Sequence, residues 1–231
     1  MRRLWPTILM LASTAVSAAE LEEIVVTGSR VDVDYYEMPA VTVTRTADFL
    51  VQNIRLVNDS RAPDRRREEI LTTIRNLLER ADSMPGMALS YGEGFLEPIN
   101  LDDNSLELIE DRQRIDTSFV DIYAKVELNQ GLSVKSRIAD LREFIEGSRK
   151  DGRTEVLPLG DIGLSVIGPE QYRYEIIRRI GAERSRISEA LQGDCDFTLK
   201  GLEGRVQWER TSVSELTLFI HYAIEVSNCA R

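Results

Sequence analysis

Hydrophobic and polar positions change period several times along the chain, and each change predicts an element. Two β-prone strands, or one long bent strand, are predicted between 40 and 58. The pattern then becomes helical, because Ile70, Ile74 and Leu77 recur on one stripe of a helix predicted over 63–83. Later strands are predicted at 87–91, 120–128, 155–159, 162–167, 206–208 and 216–226, and later helices at 134–145 and 169–193.

The order of these elements predicts the fold class. Helices alternate with strand pairs, which is typical of an α+β fold with about three helices packed on one face of a largely antiparallel sheet. In one strand, apolar side chains alternate with Asp121, Lys125 and Glu127, so we expect the other face of the sheet to be wet. The charged side of the first helix, which includes Arg66 and Glu69, is also expected to be solvated.

The N-terminal residues predict export. Arg2 and Arg3 precede an apolar run at 4–16 and small residues at 17–19, the three parts of a secretory signal peptide over residues 1–19. The run of about 13 residues is shorter than the ~20 that a spanning helix needs. We therefore expect cleavage and no membrane-spanning segment in the mature protein.

The charge balance limits the partners. The formal net charge is −10, and loss of the two cations Arg2 and Arg3 with the signal peptide makes it −12. An acidic surface argues against binding to nucleic acid or to anionic lipid.

The two cysteines, Cys195 and Cys229, predict a disulfide. An exported protein folds in an oxidising compartment, where such a pair serves as a structural link. A pair of free thiols is the alternative. A redox function is not expected, since no Cys-x-x-Cys motif is present.

The segment directly after the predicted cleavage site has the sequence LEEIVVTGSR at 21–30. It resembles the TonB box that opens many mature TonB-dependent outer-membrane receptors. The resemblance implies a periplasmic location and a TonB-type partner that binds residues 22–30 by strand addition. The partner-binding residues would be Glu23, Ile24, Val25, Val26, Thr27 and Gly28. We expect residues 20–39 to form an extended tail, and removal of 20–36 to leave stability nearly unchanged.

The rest of the chain, predicted as one domain over 40–231, resembles the SIMPL family of secreted or periplasmic proteins. The likeness covers roughly 40–227 and depends on the paired strands at 41–57, the segment SFVDIYAKV at 118–126, and DIGLSV at 161–166 before a helix. The long final helix departs from the family, because Tyr, Ile and Arg replace its usual Ala-rich repeat. The resemblance implies an α+β fold and a tendency to form homo-oligomers. It implies no catalytic residues for this chain.

Few residues carry recognisable chemistry. His221 is the single histidine, which rules out a multi-histidine metal site, and no catalytic residue, metal ligand or cofactor is predicted. An acidic segment at 100–116 contains Asp102, Asp103, Glu107, Glu110, Asp111 and Asp116. A solvated loop is the simpler interpretation of this segment, and binding of Ca²⁺ by its clustered carboxylates is the alternative.

Two functions are therefore weighed. The first is a non-enzymatic periplasmic envelope protein that acts through protein contacts, with a TonB link as one form. The second is a periplasmic ligand-binding protein or hydrolase that uses the acidic segment 100–116. The second predicts a concave pocket lined by converging polar groups from that segment or around His221. The first predicts an exposed sheet edge or a flat apolar patch.

Overall fold

The protein is described from a computed structural model, which covers residues 22–26, 38–93, 95–101, 106–128 and 133–230. The α+β class is confirmed, because the described residues form three α-helices and twelve strands in antiparallel sheets. The predicted signal peptide lies outside the described residues. No described helix combines the length and the apolar character that a membrane span requires.

The elements follow one another along the chain with these bounds. The strands are β1 (Glu23–Val26), β2 (Val43–Thr46), β3 (Phe49–Asn58), β4 (Met87–Tyr91), β5 (Glu97–Pro98), β6 (Ile109–Glu110), β7 (Ser118–Glu127), β8 (Glu155–Ile167), β9 (Asp194–Lys200), β10 (Gln207–Arg210), β11 (Glu215–Phe219) and β12 (Ala223–Ala230). The helices are α1 (Pro63–Ser83), α2 (Val134–Glu146) and α3 (Arg173–Leu191), the last preceded by a 3₁₀ turn at Pro169–Tyr172.

The largest sheet has the order β1-β8-β3-β7-β4-β5, with β6 paired to the start of β7. Its centre is the pair β3 and β7, whose ten residues each are opposed along their whole length. One face of this pair is covered by α1 and α2. The main core forms there from side chains that are fully buried, among them Leu50, Ile54, Ile70, Ile74, Leu77, Ile122 and Phe144. Burial of each such side chain is worth about 1.5–3 kcal/mol.

A second, smaller core lies between α3 and the three-stranded sheet β10-β11-β2. Ile176 and Ile180 of α3 pack there with Val43, Leu218 and Ile220. The three helices are therefore shared between two sheets, two on the large one and one on the small one.

A third sheet consists only of β9 and β12. The predicted disulfide is confirmed here, since Cys195 of β9 is bonded to Cys229 of β12 with their Cα atoms 4.1 Å apart. An isolated two-stranded ribbon is marginally stable in water. Closing this loop adds roughly 4 kcal/mol in the chain-entropy account, so the bond secures a ribbon that has little packing of its own.

The structure corrects several strand predictions. The strands expected at 155–159 and 162–167 form the single strand β8, which has an irregularity near Gly160, where φ is +64°. The strand expected at 216–226 is divided into β11 and β12, and β9 was not predicted. Long-range pairing explains the strand that was not predicted, because β9 acquires its partner only from the C-terminal end of the chain.

The charged side of α1 is not wholly solvated, because Arg66 is 3% and Glu69 is 4% exposed. The Glu69 carboxylate accepts hydrogen bonds from Arg153 N–H at 2.9 Å and from Asn58 Nδ2 at 2.7 Å. These donors, with smaller contributions from Arg65 and Ser60, lower the pKa of Glu69 to about 2. Glu69 thus ties α1 to the end of β3 and to the turn before β8.

Candidate functional site

The segment that resembles a TonB box does not form a free tail. Glu23–Val26 is strand β1, which pairs antiparallel with β8 from Glu23 opposite Ile167 to Val26 opposite Leu164. These four residues, which were expected to belong to a tail, are therefore part of the large sheet. The other two predicted partner-binding residues, Thr27 and Gly28, lie outside the described residues.

Strand β1 is held from both sides. On one side it pairs with β8, and on the other Leu96 N–H donates to the Glu23 carbonyl at 2.9 Å, while Ile24 forms an isolated bridge with Phe95. Ile24 is 2% exposed and belongs to the main core. Since residues 95 and 96 follow β4, β1 connects two distant edges of the large sheet.

The Glu23 side chain explains why β1 docks. It forms an ion pair with Lys125 of β7 and accepts a hydrogen bond from Ser165 Oγ at 2.7 Å. The side chains of Lys125 and Glu23 are only 10% and 8% exposed. Lys125 Nζ also lies 4.5 Å from the ring centroid of Phe49. A buried ammonium without a counter-charge is strongly destabilising, and β1 supplies that charge.

The face of the large sheet that lies opposite α1 and α2 is called here the outer face. It carries Phe119, Asp121, Tyr123 and Lys125 of β7, which alternate with core residues. This face was expected to be wet, and that expectation is wrong at Lys125, which is buried and paired with Glu23 of β1.

Asp121 and Tyr123 of the outer face line a cavity of about 450 Å³, called here the Tyr123 cavity. Asn53 of β3 and Ser90 of β4 lie directly opposite Tyr123 on its two neighbouring strands. The cavity is lined by Asn53, Tyr91, Gly92, Glu93, Leu106, Glu107, Ile109, Val120, Asp121 and Tyr123. Residues distant in sequence therefore converge on it from β3, β7, the end of β4 and the acidic segment.

Gly92 lets the chain leave β4 at the rim of this cavity. Its φ is +132°, and a Cβ atom built there would lie 2.0 Å from the carbonyl oxygen of Phe95. Only glycine fits such a conformation without strain. The turn returns the chain to Phe95 and Leu96, which contact β1.

The lining of the cavity is electronegative. It contains the carboxylates of Glu93, Glu107 and Asp121, and no lysine or arginine. Burial raises the pKa of Tyr123, and the charges of Asp121 and Glu93 raise it further. Within the described parts of the chain, neither Glu93 nor Glu107 has an ion-pair partner.

Asp121 differs from the other two carboxylates because Arg55 neutralises it. Arg55 Nε and Nη2 donate to the two oxygens of Asp121, both at 2.7 Å, and the guanidinium lies 3.9 Å from the ring centroid of Phe119. The hydrogen bond to Asp121 raises the pKa of Arg55. This bidentate pair fixes Asp121 at the wall of the cavity.

Two buried oxygens beside Tyr123 are unsatisfied. Asn53 Oδ1 and Ser90 Oγ have no hydrogen-bond partner among the described residues. Such a group costs about 1–3 kcal/mol, so an unsatisfied pair in one row of the sheet calls for an explanation. Ser90 does not line the cavity, and Asn53 Oδ1 has almost no accessible surface, so a molecule in the cavity accepts or donates at Asn53 only through the part of the amide that faces it.

The acidic segment 100–116 does not act as one cluster. Glu107 lines the cavity, whereas Glu110 and Asp116 lie 3.7 and 4.0 Å from the buried guanidinium of Arg66. Asp111 accepts hydrogen bonds from the backbone of its own turn, and Asp102 and Asp103 are outside the described residues. No three His, Cys, Asp or Glu side chains in the described ranges are placed to hold a metal ion.

His221 does not belong to the cavity. It lies between β11 and β12, is exposed, and packs edge-on against Phe219 with ring centroids 5.1 Å apart. The sequence pointed to Glu107 through the acidic segment, but it gave no signal for Asn53, Tyr91 or Tyr123. Their alternation predicts a strand and does not predict a shared cavity.

The chain was compared with known proteins in three ways. No family model, no curated protein and no solved structure matches it.

Proposed function

We propose that the protein is an exported ligand-binding protein of the cell envelope, which holds a small molecule in the Tyr123 cavity. The observation that carries the proposal is the convergence of Asn53, Tyr91, Tyr123 and Glu107 on one concave site. A cavity of about 450 Å³ is within the usual range for small-molecule sites. The signal-peptide pattern and the Cys195–Cys229 bond support export to an oxidising compartment.

Binding fits the geometry better than catalysis does. Both oxygens of Asp121 accept hydrogen bonds from Arg55, which leaves this carboxylate poorly placed to take a proton from a substrate. The Tyr91 hydroxyl donates to Glu97 at 3.1 Å and is likewise engaged. These side chains are arranged to hold a ligand in a fixed orientation.

A TonB-type partner is the second candidate, and the resemblance of residues 21–30 to a TonB box favours it. Four residue pairs hold β1 to β8, and a partner that takes this segment by strand addition has to displace it. Release of β1 leaves Lys125 buried without its counter-charge, which opposes the exchange. Membership of the SIMPL family and homo-oligomer formation stay predictions.

Native mass spectrometry of protein purified from the periplasm tests the main proposal. We expect a small molecule to co-purify with the wild-type protein and to be absent from the Ile109→Arg variant. Ile109 lines the cavity and is 52% exposed. Ile115→Arg is the matched control, because Ile115 is 93% exposed and does not line the cavity. Equal ligand occupancy in both variants would contradict the proposal.

A further inference from the structure

We infer that the ligand of the Tyr123 cavity is a protonated primary amine, a small organic cation with an alkyl body. The inference deepens the proposed function and depends on it, since it names the chemical class that the cavity takes. Charge, aromatic surface and hydrogen-bonding capacity each support it separately.

The carboxylates that line the cavity favour a ligand with a positive charge. Glu93 and Glu107 face the cavity without ion-pair partners in the described chain, and the third lining carboxylate, Asp121, has its counter-charge in Arg55. An anionic ligand would meet uncompensated negative charge at the rim. A cation gains Coulomb attraction there, which water and salt screen because both glutamate side chains are exposed.

Aromatic surface selects an organic cation over a hydrated inorganic one. On the outer face two protein cations already lie over rings, Arg55 over Phe119 and Lys125 over Phe49. Tyr123 follows Asp121 and precedes Lys125 in the same alternating row of β7, yet no described cation lies over its ring. A ligand ammonium over Tyr123 would complete this pattern.

Hydrogen-bonding capacity selects a primary amine. Asn53 lines the cavity directly opposite Tyr123, and its Oδ1, which has no described donor, becomes an acceptor for the ligand when the amide turns about χ2. A protonated primary amine brings three N–H donors, enough for Asn53 and for the carboxylates at the rim. The apolar members of the lining, Leu106, Ile109 and Val120, suit the alkyl body.

The test compares three four-carbon probes that differ only in their end groups: 1,4-diaminobutane, 1,4-butanediol and succinate. Titration of the full mature protein by calorimetry at neutral pH should show binding of the diamine and none of the diol or the diacid. Raising the salt concentration should weaken the binding, because the rim charges are partly exposed.

Two variants assign the binding to its residues. Asn53→Leu should weaken diamine binding about tenfold while the fold is kept, because an unpaired buried acceptor is replaced by an apolar group of similar size. Glu107→Gln should weaken it about three- to tenfold and reduce its salt dependence. Glu79→Gln, an exposed change on α1, should have no effect.

The outcomes separate the inference from the proposed function. Binding of the diol or the diacid in place of the diamine, abolished by Ile109→Arg, would overturn the amine assignment and leave a ligand-binding protein. Diamine binding that Asn53→Leu and Glu107→Gln do not alter would also overturn the assignment. Absence of binding by all three probes, together with no co-purified molecule in the mass spectra, would overturn both.

Discussion

Glu23 and Lys125 form an ion pair that connects the N-terminal strand to the middle of the large sheet, although 102 residues separate them in sequence. Both side chains are nearly excluded from water. The pair has two consequences. It anchors in the fold a segment whose sequence predicts a tail, and it closes one end of the outer face.

The ion pair predicts that β1 stabilises the domain. Glu23→Gln leaves Lys125 as a buried charge without a partner, so we expect the free energy of unfolding in urea to fall by about 3–5 kcal/mol. Removal of residues 20–36 should be at least as costly, contrary to the expectation from sequence. Glu22→Gln is the control, since Glu22 is exposed and contributes its backbone carbonyl. An unchanged urea midpoint for Glu23→Gln would show that β1 is dispensable.

Glu69 predicts a loss of stability in acid. Its pKa is about 2 in the folded protein, below the ordinary value of 4.5, so the charged form is favoured by folding. The stabilisation is complete above pH 4.5 and is lost as the pH falls from there towards about 2. Glu69→Gln should flatten the dependence of the unfolding free energy on pH in this window, whereas the exposed Glu68→Gln should not. Parallel curves for wild type and Glu69→Gln would refute the assignment.

At Gly92 we expect the addition of a single methyl group to disrupt the rim of the cavity. Gly92→Ala places Cβ against the Phe95 carbonyl and forces a residue with a side chain to keep a φ of +132°, so we expect a loss of at least about 2 kcal/mol in stability. Gly160→Ala is the matched control. Its φ of +64° is also left-handed, but no atom lies within 4 Å of the added Cβ, and a loss of about 1 kcal/mol is expected. Equal losses would show that close approach at Gly92 is unimportant.

The disulfide predicts local as well as global effects. Replacement of Cys195 and Cys229 by Ser should lower the free energy of unfolding by about 2–4 kcal/mol. Because β9 and β12 pair only with each other among the described strands, their amide protons should lose protection first. The amides of β10 and β11, which share the second core with α3, serve as the internal reference. Uniform loss of protection across the chain would contradict a local role.

The local pattern of apolar and polar residues is enough to predict much of the fold. The helix predicted over 63–83 has those bounds in the structure, because Pro63 starts it and its apolar stripe packs on one sheet face. The strand at Met87–Tyr91 was likewise predicted from alternation alone. The α+β fold class follows from such elements, since each of them can be predicted from residues that are neighbours in the sequence.

The docking of β1 and the Tyr123 cavity required information that local pattern lacks. Lys125 looked like a residue of a solvated face, because its burial depends on Glu23 arriving from the far end of the chain. Asn53 and Tyr123 lie side by side because of the register between β3 and β7, and the alternation of apolar and polar residues does not predict that register. The resemblance of residues 21–30 to a TonB box implied a free conformation of this segment, which the buried ion pair of Glu23 and Lys125 opposes.

The central claim, that the Tyr123 cavity holds a ligand, is tested most directly by a titration followed in two-dimensional NMR spectra of the isotope-labelled mature protein. With 1,4-diaminobutane as the probe, the account predicts saturable shifts centred on the amides of Asn53, Ser90, Glu107 and Tyr123, and none on the solvent side of α1. Shifts confined to other surfaces, or a linear drift without saturation, would contradict it.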